Sequence, residues 1–433
     1  MFRLTPMLAC VMLAGSASAQ CGDWSIVSTP SPGTQNNLLV DVAATRPYLA
    51  IAVGNYAGGG SAPQPLIVLW KGSAWSQFPL PNTAGLGTFP QVEGVGRTPN
   101  GDLWVVGYIR TPAPTDQLPL LLRWHGGAWD HVTTPILRPQ NTHPFGPRGG
   151  LANDAAGLAS DDVWVVGTAV GFGDASSTSV PMALHYNGST WDDVPVPIMG
   201  NRHNSFERVS ASAPDNVWAV GTWRNQAGGF KALIERWDGF SWTSVPNPGD
   251  GLGTWEAYAV LALAPDNVWV SGTFPGPTHL IHWNGSAWET GYASIPGIFA
   301  SFAATGPQDI WASCAINSTF YHFDGFAWSP VQGSPVPGSQ YVLRGWGMDT
   351  VGACDVWAVG GFSDGVTQLT LSERLGSAIC PGDLNNDGQL NSQDFFDFLG
   401  VFFNQDPGSD FNIDGSVNSQ DFFDFVAAFF AGC

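Results

Sequence analysis

Near the C-terminus, two twelve-residue stretches set oxygen-bearing side chains at alternate positions. The first is Asp383-Leu-Asn385-Asn-Asp387-Gly388-Gln389-Leu-Asn391-Ser-Gln-Asp394. It returns as Asp410-Phe-Asn412-Ile-Asp414-Gly415-Ser416-Val-Asn418-Ser-Gln-Asp421. Calcium is a hard cation that takes six to eight oxygens. Side chains at positions 1, 3, 5 and 12, a carbonyl at 7 and a water-holding side chain at 9 supply them, while Gly at 6 allows the sharp turn. The expected ligands of two calcium ions are therefore Asp383, Asn385, Asp387, Gln389, Asn391 and Asp394, and Asp410, Asn412, Asp414, Ser416, Asn418 and Asp421. Position 12 is Asp rather than Glu, so this last ligand must approach more closely. Two in-register copies argue against a merely polar, Asx-rich turn.

Each loop runs into Asp-Phe-Phe-Asp-Phe. A helical period puts Phe395, Phe398, Leu399 and Phe402 on one face, and Phe422, Phe425, Val426 and Phe429 on another, which predicts a small helical core. Phe396, Phe403, Phe423 and Phe430 are left over as a second contact surface. Two loop-helix units without entering helices, each closed by Asp, resemble a dockerin over residues 380–433. That resemblance implies calcium-dependent folding. It also implies a cohesin-like protein partner, touched by the residues before the last ligand, here Ser392-Gln393 and Ser419-Gln420. After Cys380 the chain has no Lys or Arg, so uncompensated carboxylates favour unfolding of this segment without the ion.

The rest of the chain is built from repeats. One signature is Asp, one or two residues, Trp, then small-Val-Gly: Asp102-Leu-Trp104-Val-Val-Gly107, Asp162-Val-Trp164-Val-Val-Gly167 and Asp215-Asn-Val-Trp218-Ala-Val-Gly221, with further copies at Trp269, Trp311 and Trp357 and a worn one at Leu49–Gly54. A second signature, aromatic-polar-Gly-two residues-Trp, follows six of them: Trp70–Trp75, Trp124–Trp129, Tyr186–Trp191, Trp237–Trp242, Trp283–Trp288 and Phe323–Trp328. Asn-Gly and Asp-Gly between apolar runs mark tight hairpins. Four strands per repeat, seven times, predict an all-β fold, a seven-bladed β-propeller. The seventh repeat lacks its Trp strand, and Cys21-Gly-Asp-Trp24-Ser-Ile-Val at the other end supplies one. That strand is expected to close the ring. The blades resemble those of secreted bacterial propellers related in shape to Kelch and galactose-oxidase propellers, which implies architecture and not activity.

Repetition itself separates packing from chemistry. A ligand site needs asymmetry, whereas blade contacts need the same residue on every blade, so the repeated Trp are read as packing and the repeated Asp as turn residues. Arg123, His185, Arg236, His282, His322 and Arg374 precede the hairpin aromatic or its equivalent. Symmetry spreads them around the ring, and each is expected to bond the turn Asp or a carbonyl. Function is expected on the face of variable loops. The candidate ligand face comprises Tyr56, Arg110, Arg138, His143, Arg148, Arg202, His203, Trp223, Arg224 and Trp255. An aromatic and Arg rim suits a glycan or a peptide. No nucleophile elbow or His/Cys metal spacing is present; a propeller could also bring Glu93, Glu207 and Glu256 together as paired carboxylates, but the sequence does not select them.

Arg3, the apolar run Met7–Ala14 and Ala17-Ser18-Ala19 read as a secretory signal peptide over residues 1–19. The propeller is expected over 20–378 and the calcium module over 379–433. The destination is extracellular, with attachment to the cell surface open. No run is long enough to span a bilayer, and the net charge of −20 excludes a nucleic-acid backbone as partner. Export permits disulfides: Cys21 with Cys354 at the closing blade and Cys380 with Cys433 around the tail, though spacing alone does not fix the pairing. Cys314 is expected to be buried and unpaired.

Three readings stay open. The leading one is a non-catalytic, monomeric propeller that binds a carbohydrate or protein and is anchored by its calcium module. The others are a polysaccharide-degrading hydrolase or lyase on the variable-loop face, acting on O-glycosyl bonds if a hydrolase, and a structural or adhesive envelope protein.

Overall fold

The computed structural model describes residues 22–58, 62–80, 88–110, 117–125, 128–132, 148–171, 179–200, 202–224, 228–250, 254–273, 279–292, 295, 297–314, 318–352, 354–376, 381–384, 389–404, 409–412 and 416–432. The expectations for Asn385, Asp387, Asp414, Cys21, Cys380, Cys433, Arg138 and His143 lie outside them, as does the side chain of Arg148.

Seven four-stranded antiparallel sheets form the blades of a β-propeller. The first strands of the blades are Asn36–Arg46, Thr88–Arg97, Arg148–Ala159, His203–Ala213, Ala257–Ala264, Phe299–Gly306 and Tyr341–Gly352. Each packs against the first strands of both neighbouring blades, the seventh against the first included. These strands therefore line the axis. In blades one to six the remaining strands follow in chain order outwards, whereas in blade seven the outermost strand is Trp24–Ile26, antiparallel to Gln368–Leu375.

The repeated residues turn out to be the joints of this architecture. The second-strand Trp of one blade meets the fourth-strand Trp of the next nearly edge to face: Trp104 and Trp191 at 5.4 Å, Trp164 and Trp242 at 5.3 Å, Trp269 and Trp328 at 5.6 Å, Trp357 and Trp75 at 5.1 Å. Such pairs add roughly 0.5–1.5 kcal/mol beyond the area they bury. The Asn-Gly and Asp-Gly hairpins use glycine at positive φ, for example Gly188 at 89°, while the Asn187 carboxamide oxygen accepts from the amides of Ser189 and Thr190.

The cationic and imidazole series is a set of side-chain staples. His185 bonds Asp162 at 2.9 Å, His282 bonds Asn267 at 2.9 Å, His322 bonds Asp309 at 2.7 Å, and Arg374 donates to both oxygens of Asp355 at 2.6 Å. Each also lies over the Trp of its own blade's second strand; the His185 and Trp164 centroids are 4.3 Å apart. Arg236 lies over Trp218 in the same manner. Asp102, Asp162, Asp309 and Asp355 thus receive the Arg or His of the neighbouring strand, as expected of that series, in addition to the turn role read for them from the sequence, while in blade five Asn267 takes the place of the carboxylate.

The tail consists of two helices, α1 (Ser392–Phe403) and α2 (Ser419–Ala431). Phe398 and Phe425 stack at 4.0 Å with planes 6° apart, and Phe411 meets both edge-on. Phe411 also touches Tyr48 of blade one at 5.1 Å, so the tail packs against the propeller. Phe396, Phe403, Phe423 and Phe430 are exposed, as the helical period predicts. Cys314 is buried and free, while Cys354 is disulfide-bonded. No helix among the described residues is long and apolar enough to cross a membrane.

Candidate functional site

Every first strand carries a break in register at one level: between Leu39 and Asp41, Val92 and Gly94, Ala152 and Asp154, Phe206 and Arg208, Ala257 and Ala259, Phe299 and Ser301, and Leu343 and Gly347. A bulge turns one extra side chain away from the ladder. Here the extra residues are Val40, Glu93, Asn153, Glu207, Tyr258 and Ala300, with Trp346 in the longer break of blade seven. All seven line a single cavity of about 480 Å³, completed by Arg208, Thr222, Glu256 and Ile298. It opens around the axis near the start of the first strands, on the side of the variable loops.

In six of the seven blades a Gly three places after the second-strand Trp, or its equivalent, makes room for this; blade six has Cys314 there, opposite Phe299. A Cβ on Gly107 would lie 2.0 Å from the carbonyl oxygen of Gln91, and one on Gly221 would lie 2.1 Å from that of Ser205. At these glycines the bulged strand leans so close onto its neighbour that a side chain would not fit.

Burial, with Glu207 adding to it against the pull of Arg208, raises the Glu93 carboxyl above the usual range. The Tyr258 hydroxyl donates to Glu256; burial and that bond raise its pKa. Glu207 accepts from the Ser205 hydroxyl at 3.0 Å, and Arg208 Nη1 donates to the Glu207 carbonyl at 2.9 Å. Trp346 leaves its indole partly exposed, at 39%. The lining thus offers several carboxylates and an amide for polar contacts, one guanidinium, and two aromatic rings. Among the described residues no three His, Cys, Asp or Glu side chains are placed to hold one metal ion.

Deeper along the axis a second cavity of about 320 Å³ is lined by Asp41, Arg97, Asp154, Arg208 and Asp349 among others. These carboxylates bridge blades. Asp41 accepts from the amides of Val42 and Val95, Asp154 from those of Ala155 and Val209, and Asp349 from those of Thr350 and Ala44 while pairing with Arg97 at 2.7 Å. Burial, then Asp154, pushes Asp41 up to about 7; burial pushes Asp154 up to about 6.

The expected ligand face is only partly realised. Trp255 is 1% exposed, inside the core between blades four and five, and cannot contact a ligand. Trp223 and Tyr56 pack against blade cores, and Arg224 lies 4.8 Å over Phe230. Arg202 is half-buried and Arg110 exposed. His203 contacts Ser179 at 3.3 Å and Thr222 at 3.1 Å, just behind the cavity wall, and burial lowers its pKa. The structure instead brings together Glu93, Glu207 and Glu256, with Asn153, Arg208, Tyr258 and Trp346, which sequence reasoning left out.

In the tail, Asn391 and Asn418 cap the two helices, accepting from Gln393 and Gln420, and Asp394 and Asp421 complete the capping boxes. The Asn391 amide donates to the Gln389 carbonyl and the Asn418 amide to that of Ser416. Asp421 also accepts from the amides of Phe411 and Asn412, drawing the second loop around it. Asp383, Asp394, Asp410 and Asp421 are all buried. Gln393 and Gln420 are exposed and bond Asp397 and Asp424, while Ser392 and Ser419 open the helices.

No family model matches the chain, and no curated protein does. Solved structures with a similar course of chain include YCF48 from Cyanidioschyzon merolae (16% identity, TM-score 0.49, covering 81% of this chain and 98% of that one). A catalytically inactive variant of virginiamycin B lyase from Staphylococcus aureus with quinupristin is another (11%, 0.49, 82% and 99%). The Trypanosoma rangeli sialidase in complex with the inhibitor DANA is a third (11%, 0.46, 85% and 57%).

Proposed function

We propose that this is an exported propeller that binds a carbohydrate in the axial cavity and is anchored by its tail. The convergence of the bulge residues on one cavity carries the reading. Carboxylates and an amide suit vicinal hydroxyls, and the Trp346 and Tyr258 rings suit the C–H face of a pyranose; concave sites with apolar walls and a few polar groups are where small ligands bind. A glycan array with the full chain, followed by calorimetry, tests it. Saturable binding that is lost in Trp346→Ala is expected, and an array without hits overturns it.

The three glutamates also favour a second reading, a glycoside-cleaving enzyme, because the buried Glu93 holds its proton more firmly than an ordinary carboxylic acid does. Reducing-end release from a bound glycan, abolished in Glu93→Gln, separates this from binding alone. On either reading, we take Trp24–Ile26 as the clasp that closes the ring.

For the tail we propose two calcium ions. Asp383, Asp394, Asp410 and Asp421 are buried with no Lys or Arg anywhere after Cys380, a donor set suited to a hard cation. Ser392, Gln393, Ser419 and Gln420 would face a cohesin-like partner.

A further inference from the structure

We infer that the ligand of the axial cavity carries a positive charge, as an amino sugar with a free ammonium group; this rests on the carbohydrate reading above. Glu93, Glu207 and Glu256 face the cavity, and Arg208 is the one cation among its described lining residues. That guanidinium is shared. It also sits in the wall of the deeper cavity, where it draws on Asp41 and Asp154 as well as on Glu93. One charge divided among these carboxylates leaves the cavity negative, in a chain whose net charge is already −20.

The neighbouring groups respond accordingly. Beyond the effect of burial, Glu207 makes Glu93 harder to ionise, and Glu256 and Glu207 make Tyr258 harder to ionise. A neutral sugar would have to bind while these charges stay uncompensated in a partly desolvated space. A cation between them supplies what is missing.

A bare metal ion is the simpler cation, but the carboxylates do not gather as a metal would need. They are spread over blades two, four and five, around a space large enough for a sugar ring. Acceptors spaced in this way suit an ammonium group that moves with a polyhydroxylated body. The Trp346 indole adds a π-face for the ammonium or for the ring that carries it. Because the Tyr258 hydroxyl is committed to Glu256, its ring face remains for contact.

The test uses the full chain and calorimetry with two probes of equal length, glucosamine oligomers and N-acetylglucosamine oligomers, at a pH where the amine is protonated. The deacetylated oligomer is expected to bind at least about tenfold more tightly, an advantage that shrinks in high salt. Glu207→Gln and, independently, Glu93→Gln should each reduce that preference severalfold, weakening the deacetylated oligomer more than the N-acetylated one. If both oligomers bind equally, or the acetylated one binds better, the cationic ligand is wrong and carbohydrate binding survives. If neither binds, the amino-sugar inference is wrong, and the glycan array alone decides whether carbohydrate binding stands; a lysine-rich peptide that binds in their place would point to a protein ligand.

Discussion

Trp24 meets Trp311 edge to face, with centroids 5.7 Å apart and planes at 79°, and lies flat on Phe320 at 3.9 Å. Trp311 and Phe320 belong to blade six, while Trp24 comes from the opposite end of the chain and is paired into blade seven. This is the joint that other blade boundaries make with a fourth-strand Trp, here supplied from the N-terminus.

Removing the Trp24 side chain should therefore loosen the ring. Trp24→Ala is expected to cost about 3–5 kcal/mol, the range for emptying a buried aromatic site, whereas Trp24→Phe should recover part of it. Denaturant unfolding of both variants measures the difference. An unchanged midpoint for Trp24→Ala would mean the ring is held closed by something else.

The staples predict a gradient. Asp355 and Arg374 are almost fully buried, so Asp355→Ala leaves an uncompensated guanidinium inside the protein and should cost about 3–5 kcal/mol. The His185 and Asp162 side chains are 27% and 19% exposed, and His185→Gln should cost less. Thermal unfolding ranks the two; the opposite order would show that stacking on Trp, and not the charged bond, gives the staple its strength.

Seven blades were legible because a propeller repeats its packing, and Trp at one strand position shows through as a period. The axial cavity was not, because the side chains it uses share no type: Val40, Glu93, Asn153, Glu207, Tyr258, Ala300 and Trp346 occupy equivalent places. In six blades the bulge was signalled by another residue, the Gly three places after the second-strand Trp or its equivalent; in blade six, where Cys314 stands there, no such signal exists. Trp255 misled for the converse reason. It stands outside the Trp period and looked like a loop aromatic free to bind, yet its ring fills a gap between blades four and five. The tail helices followed from the spacing of Phe, since stacking of Phe398 on Phe425 needs only a helical period.

Stability should fall as pH rises through the neutral range. Burial pushes Glu235 up to about 8 from 4.5, against the Ser244 hydroxyl that donates to it, and its Oε2 has no hydrogen-bond partner among the described residues. The unfolded chain releases this proton near pH 4.5 while the folded one keeps it, so the native state is progressively penalised between there and about pH 8, and Asp41 and Asp154 act in the same direction. Glu235→Gln should remove a penalty on the order of 4 kcal/mol at the alkaline end and flatten the profile. Denaturant midpoints across this pH window decide it, and a variant profile parallel to the wild type would show Glu235 to be ionised inside the fold.

Phe411 joins the tail to the propeller, and it stands between two expected calcium ligands, Asp410 and Asn412. Its amide and that of Asn412 both donate to Asp421, while its ring contacts Tyr48, Phe398 and Phe425. An ion held by Asp410 and Asp421 would thus fix the residue that seats the tail on blade one. Calorimetry on the full chain is expected to find two calcium ions bound, and Asp383→Ala combined with Asp410→Ala should abolish both. Chelation should then make the tail, and not the propeller, sensitive to protease, because its carboxylates repel once the ion is gone. A Phe411→Ala variant should keep both ions but lose the seat, freeing a tail that still resists protease when loaded. Calcium-independent protease resistance in the wild type would instead show that the Phe398–Phe425 stack and the capping boxes hold the tail by themselves.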